Sequence, residues 1–180
     1  MINYLILYLI MITNQGNRII RAMFFHCDIS MLKYNFYRNR KTILNLFKLR
    51  LISLFKINLL ITILLTIGLD LLYLLSSGFN ILILLLITIS TIIISNFFSI
   101  FYMSLYYLIQ PFTNNMKDRN FKFNLIIILT YVFIYEIALN FDINIVIATI
   151  SCIIACIIST ILFLLSVYTK AHKTFKLRNE

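Results

Sequence analysis

The feature that most constrains this chain is a run of 31 residues, Phe79 to Ile109, without a single charged side chain. A helix of about 20 apolar residues crosses the ~30 Å hydrocarbon layer of a membrane. Hydrophobic residues make up 62% of the 180 residues and charged residues 12%, whereas soluble domains have roughly 45–50% and about 25%. We therefore expect an all-α, polytopic membrane protein that crosses the bilayer several times.

Four stretches are long and apolar enough to be predicted as transmembrane helices: Ile57–Ser76, Phe79–Ile109, Phe123–Leu139 and Ile143–Tyr168. The second exceeds a perpendicular crossing by about ten residues, so it is expected to tilt, to project into the cytoplasm or to break near Asn96. The first 12 apolar residues would give a helix of only about 18 Å. Residues 1–16 are therefore interpreted as part of a span that begins upstream or as an interfacial segment.

The basic residues predict the orientation of these spans. Nine Lys and Arg side chains lie between Arg18 and Lys56, three between Lys117 and Lys122, and four between Lys170 and Arg178, while the connections SSGFN and NFDIN contain none. Because retained cations mark cytoplasmic loops, residues 17–56 and the tail 169–180 are predicted to be cytoplasmic, flanking a membrane domain at 57–168. The net charge of +10 then needs no nucleic-acid partner, and these cations would attract anionic lipid head groups.

The basic segment also has helical amphipathicity. In RNRKTILNLFKLRLISLFKIN, residues 38–58, one predicted face holds Leu44, Phe47, Leu51, Leu54 and Phe55, and the other holds Arg38, Lys41, Asn45, Lys48 and Lys56. This pattern is typical of a helix lying in the membrane surface. Arg38, Lys41 and Lys48 are candidates for contact with lipid or a partner protein, and a snorkelling anchor for the first span is the alternative.

Two polar patterns lie inside the predicted spans. The second span carries hydroxyl groups at three- and four-residue intervals: Thr88, Thr91, Ser95, Ser99, Tyr102 and Tyr106. Such a stripe either bonds a neighbouring helix or lines a polar route for a substrate. The fourth span carries Ser151, Ala155 and Ser159 at small-xxx-small spacing, which favours close helix contact.

No catalytic or cofactor chemistry is predicted. The three cysteines and two histidines lack the spacing of a zinc site or a disulfide framework. Consecutive His26, Cys27 and Asp28 point in different directions on a helix, so a metal or catalytic role is not favoured. Asp70 and Glu136 fall near the outer ends of their spans, where hydration accounts for them.

Two blocks resemble the membrane subunit of ATP-binding-cassette exporters of low-GC bacteria. One is RIIRAMFFHCDISMLKYNFYR, Arg18 to Arg38, and the other is FYMSLYYLIQPFT, Phe101 to Thr113. The resemblance implies a permease that moves its substrate outward, with a separate ATPase chain acting on its cytoplasmic surface and with further membrane spans supplied elsewhere. It marks Cys27, Asp28, Arg38, Tyr106, Tyr107, Gln110 and Pro111 as contact or signature positions.

Family members are usually longer, so this chain resembles one membrane half, truncated or divided from the rest. It contains no G-x-x-x-x-G-K-[ST] segment, and we therefore expect it not to be an enzyme. Proline disfavours helix in the residue before it, so Gln110-Pro111 is expected to end or kink the second span. The alternative to a permease is a non-transporting membrane protein, such as an assembly or immunity factor, that binds a partner through its fourth span.

Overall fold

The protein is described by a computed structural model that covers residues 16–33, 39–77, 79–112, 121–140 and 145–175. Its elements follow one another along the chain as helices, with no strand among the described residues: α1 (Gly16–Met23), a π-helical turn (Phe24–Asp28), α2 (Ile29–Lys33), α3 (Arg40–Ser77), α4 (Ile81–Ile109), α5 (Phe121–Asn140) and α6 (Ile145–Thr174). The expected all-α class is therefore confirmed. Residues 1–15 of the predicted N-terminal apolar segment lie outside the described residues.

Among the described residues, three helices are long and apolar enough to cross a membrane. They are the Arg40–Leu75 part of α3, the whole of α4, and the Ile153–Ala171 part of α6. The predicted third span corresponds to α5, a helix of 20 residues whose described apolar part, Phe121–Val132, is shorter. Large aliphatic side chains such as Leu64, Leu75 and Leu162 are exposed on the outward faces, and a lipid bilayer is the solvent that accommodates them.

Helix α3 differs from the prediction of a separate interfacial helix. It runs without interruption through residues 56 and 57 for 38 residues, about 57 Å at 1.5 Å per residue. Phe47 and Leu54 of the predicted lipid-facing side are buried in the protein core, while Lys41 and Lys48 are exposed as expected. No proline or glycine interrupts residues 38–58, and Asn58 donates a buried hydrogen bond to Ser99 at 2.6 Å instead of capping a new helix.

Helix α4 begins and ends at recognisable signals. It is continuous through Asn96, which excludes the break among the three alternatives of tilt, projection and break. The side chain of Asn80 accepts a hydrogen bond from the Leu82 backbone N–H at 3.2 Å, which is the role of an N-cap. Gln110 takes a left-handed conformation with φ 47° and donates its backbone N–H to Tyr106. Pro111 follows, and because it cannot continue a helix, the predicted end of the span coincides with the end of α4.

The core lies around the C-terminal half of α4. This helix packs mainly against α6 and α3, and α1 also contacts it. Every residue from Phe101 to Tyr107 is buried, so this part of α4 is enclosed on all sides. From Ile81 to Ile89 no residue of α4 is buried, and from Ser90 to Ile100 buried and exposed positions are interspersed. The enclosed end is therefore where polar side chains from several elements can meet.

Candidate functional site

The N-terminal segment reaches this enclosed end of α4 through residues spaced four apart. Ile20, Phe24, Asp28 and Leu32 are all buried. In an α-helix each four-residue step turns about 40° past a full circle, so four such residues would drift away from one face. The π-helical turn Phe24–Asp28 widens the helix to i→i+5 hydrogen bonds and reduces this drift, which keeps Asp28 on the same side as Phe24.

Asp28 is the centre of a polar cluster that joins three parts of the chain, and all of it is buried except Arg50, which is partly exposed. Its Oδ1 lies 2.9 Å from Nη2 of Arg50 on α3, and its Oδ2 accepts a hydrogen bond of 2.9 Å from the Tyr106 hydroxyl on α4. Only 3% of Asp28 and none of Tyr106 is exposed. We call Asp28, Arg50 and Tyr106 the carboxylate clamp. It fastens the N-terminal segment to both α3 and α4.

The electrostatics of the clamp are a balance between burial and pairing. Burial raises the pKa of the Asp28 carboxyl above its ordinary value, while the positive charge of Arg50 and the hydrogen bonds from Tyr106 and Arg50 act in the opposite direction. Burial outweighs them because a carboxylate removed from water loses more solvation than one cation restores. Removal of either partner would therefore leave an uncompensated group inside the protein.

Tyr107 lies beside the clamp and holds the end of α6. Its ring packs edge-on against Phe47 at 5.1 Å and stacks on Phe175 at 4.3 Å, and its backbone carbonyl accepts a hydrogen bond of 2.9 Å from the Thr174 hydroxyl. The Tyr107 hydroxyl and the Gln110 carboxamide are buried without a hydrogen-bond partner in the described part of the chain. Buried polar groups without a hydrogen-bond partner are uncommon in folded proteins. Packing alone does not require them, so they make the C-terminal end of α4 a candidate functional site.

The middle of the predicted hydroxyl stripe faces α3. Ser99 accepts from Asn58, and Ser95 and Thr62 hydroxyls lie 2.7 Å apart. Closer to the C-terminal end of α4, the Tyr102 hydroxyl lies 2.6 Å from the Tyr131 hydroxyl of α5. Thr91 is buried and donates to its own helix at Thr88. These contacts fit the packing alternative, and the stripe member nearest the clamp, Tyr106, bonds Asp28.

The predicted small-residue ridge of α6 lies mostly outside the packed interior. Ser151 and Ala155 are exposed, Ser159 is half-buried, and the Ser159 hydroxyl donates to the Ala155 carbonyl oxygen. Helix α6 meets the core through a neighbouring face that carries Cys156, Phe163, Val167 and Ala171. Phe163 contacts the ring of Phe101 at 5.4 Å. The small-residue ridge is therefore not the surface through which α6 contacts α4.

The predicted basic contact residues are not brought to the clamp. Lys41 and Lys48 point outward from α3, and Arg38 lies outside the described residues. Arg40, which was not predicted, donates from Nη2 to the Tyr168 carbonyl oxygen at 3.0 Å and lies 4.6 Å above the Tyr168 ring. It therefore ties the start of α3 to α6.

Arg50 was missed because it lies 22 residues from Asp28 and is one of nine cations in its segment. One signal was present in the sequence: Asp28 is the single acid among those nine cations. A buried acid in such a segment needs one of them as a partner. The resemblance marked Asp28 and Tyr106 separately, and the structure places their side chains in contact.

Comparison of the chain with protein-family models, with curated proteins and with solved structures gave no match. The resemblance to exporter membrane subunits therefore stays a prediction.

Proposed function

We propose that this chain is a membrane-embedded permease subunit of an ATP-driven exporter, non-catalytic itself, which couples to a separate ATPase through the basic N-terminal part of α3. The observation that carries the proposal is the continuity of α3 from Arg40 to Ser77. A force applied to the exposed Lys41 and Lys48 would move the apolar part of the same helix, because a helix transmits displacement as a rigid element. A separate surface helix would lack this direct connection.

Coupling would reach α4 through the contacts between the two helices. Asn58–Ser99 and Thr62–Ser95 are buried hydrogen bonds, and the carboxylate clamp adds an ion pair closer to the basic end. The bonded side chains lie on both helices along successive turns. A tilt of α3 would consequently carry α4 and the docked N-terminal segment with it.

In this proposal α5 crosses the membrane as a fourth span. The basic ends of α3, α5 and α6 then lie in the cytoplasm of a cell-membrane protein whose C-terminus is also cytoplasmic, as the positive-inside rule requires. The exposed cations Lys122 and Lys173 belong to this same side. The N-terminal part of α3 would lie at the head-group level, with its buried face against the protein.

The proposal is tested by affinity purification of the tagged chain from native membranes in mild detergent. We expect a copurifying polypeptide that is photolabelled by azido-ATP. A variant with Arg38→Glu, Lys41→Glu and Lys48→Glu should lose this polypeptide, because charge reversal replaces attraction with repulsion at the contact. The matched control is Lys122→Glu with Lys173→Glu, which reverses cations away from α3 and should retain it.

Retention of the labelled polypeptide by the triple variant would contradict the coupling role of α3. A wild-type chain without any labelled polypeptide would contradict the permease proposal itself.

A second candidate is a non-transporting protein that binds a partner through α6. The observation in its favour is the exposure of Ala155 on a ridge that the α4–α6 contact does not use. The same purification distinguishes the two. Here an Ala155→Leu variant, not the charge reversal, would lose the copurifying chain, since a bulky side chain prevents close helix approach, and that chain would not be labelled by azido-ATP.

A further inference from the structure

Asn96 occupies an unusual position on α4. It lies near the middle of this helix of 29 residues and is exposed. Leu85, Ile89 and Ile92, which precede it at three- and four-residue intervals, are also exposed, by 47% to 56% of their surface. We call Leu85, Ile89, Ile92 and Asn96 the Asn96 face. It is an aliphatic stripe with one carboxamide at its end.

The carboxamide of Asn96 makes no hydrogen bond with any other described residue. The neighbouring hydroxyl groups are different, because Thr88, Ser90 and Thr91 each donate to a backbone carbonyl of their own helix at 2.8–2.9 Å. An amide carries two N–H donors and a carbonyl acceptor, and an apolar bilayer offers them no partner. An unpaired amide at this depth therefore favours contact with another polar group.

We propose that the Asn96 face is a contact surface between two copies of this chain, in which the Asn96 carboxamides bond each other across a two-fold axis. A rotation about the membrane normal keeps every residue at its own depth, so it brings Asn96 next to Asn96. A carboxamide is complementary to itself, since the N–H of each can donate to the C=O of the other. A partner helix of a different sequence would have to carry its own isolated polar group at this depth.

The rest of the face suits such a contact. Its other members are aliphatic, and the two isoleucines have few side-chain rotamers to lose on packing. Apolar side chains alone give little preference for protein over lipid, so the amide pair would supply the specificity. This pairing does not depend on transport activity or on an ATPase.

The experiment uses the full chain in native membranes, with Cys27, Cys152 and Cys156 replaced by alanine. Ile92→Cys places a thiol on the face and leaves Asn96 in place. Oxidation with copper phenanthroline should give a disulfide-linked species of twice the 21.3 kDa chain mass. The matched control is Ile158→Cys, an exposed position near the middle of α6, which should remain monomeric.

A second substitution, Asn96→Leu, tests the amide itself. Interhelical hydrogen bonds in membranes correspond to about a 3- to 30-fold change in association. We expect Asn96→Leu to weaken self-association in detergent by about that factor, as measured by fluorescence energy transfer between labelled chains. Asn96→Gln should retain part of the association, and an unchanged helical circular dichroism signal verifies that both variants are folded.

Monomeric Ile92→Cys chains after oxidation would overturn the proposal. It would also be overturned by crosslinking of Ile92→Cys to a polypeptide of another mass, or by a self-association constant that Asn96→Leu leaves unchanged.

Discussion

At the scale of single residues, Asp28 and Arg50 determine how the N-terminal segment is held. The two side chains form an ion pair of 2.9 Å to which Tyr106 adds a hydrogen bond. A largely buried pair of this kind contributes little net stability over an apolar pair, but the loss of one partner is destabilising. Its role is therefore to fix the position of the segment against α3 and α4.

Arg50→Met should destabilise the protein by about 3 kcal/mol, the lower end of the range for a buried pair, because Asp28 loses its cation but keeps the hydrogen bond from Tyr106. The double variant Asp28→Asn with Arg50→Met should recover much of that loss, since neither charge remains. Unfolding by SDS titration in detergent micelles, followed by circular dichroism, measures both effects. Equal destabilisation in the single and double variants would show that the two residues do not act as a pair.

The raised pKa of Asp28 also makes the stability of the folded protein depend on pH. A folded-state pKa above the ordinary 3.8 means that the folded protein binds the proton more tightly than the unfolded chain. The contribution of Asp28 to stability is complete below that ordinary pKa and is lost as the pH rises through the folded-state pKa. Asp28→Asn should abolish this loss of stability with rising pH, and Arg50→Met should extend the loss to higher pH.

Gly16 of α1 lies close against the Tyr102 side chain of α4. A Cβ atom at Gly16 would lie 2.6 Å from Cδ2 of Tyr102, whereas one at Gly68 on α3 would meet nothing within 4 Å. Gly16→Ala should therefore destabilise the docked segment by about 1–3 kcal/mol through overpacking. Gly68→Ala is the matched control and should stabilise its helix by up to about 1 kcal/mol.

Limited proteolysis of the N-terminal segment measures the Gly16 effect. Cleavage should be faster for Gly16→Ala and unchanged for Gly68→Ala. A Gly16→Ala protein that is cleaved at the wild-type rate would exclude the close contact.

At the scale of elements, the sequence predicts the ends of helices better than their continuity. Asn80 and Pro111 are local signals, and α4 begins and ends beside them. Residues 38–58 carry a genuine amphipathic pattern, yet no local signal distinguishes a separate surface helix from the start of a longer one. Whether this segment forms a separate surface helix depends on Phe47 and Leu54, which pack into the protein core instead of entering lipid. Their burial depends on residues that are distant in sequence.

The same distinction between local and long-range signals applies to the candidate site. The hydroxyl spacing on α4 and the Gln110-Pro111 end were recognisable from the chain alone. The contact of Asp28 with Arg50 and Tyr106 was not, because it joins residues 22 and 78 positions apart and depends on a π-helical turn. A single wide turn leaves no clear pattern in a segment whose buried residues are simply spaced by four.

At the scale of the whole molecule, the carboxylate clamp and the exposed basic residues of the described helices lie toward one end. The clamp, the buried Gln110 and the exposed Lys41 and Lys173 lie toward the helix ends that the proposed orientation would place in the cytoplasm. The opposite end of the described chain has no cation at the junction of α3 and α4, where Phe79 and Asn80 are exposed. The proposed coupling requires that these two ends lie on different sides of the membrane.

Thiol labelling of intact cells tests this arrangement most directly. In the cysteine-free chain, a membrane-impermeant maleimide should modify Phe79→Cys from outside, while Lys41→Cys and Lys173→Cys should react only after the cells are lysed. Labelling of Lys173→Cys in intact cells, together with protection of Phe79→Cys, would contradict the orientation and the cytoplasmic coupling that depends on it.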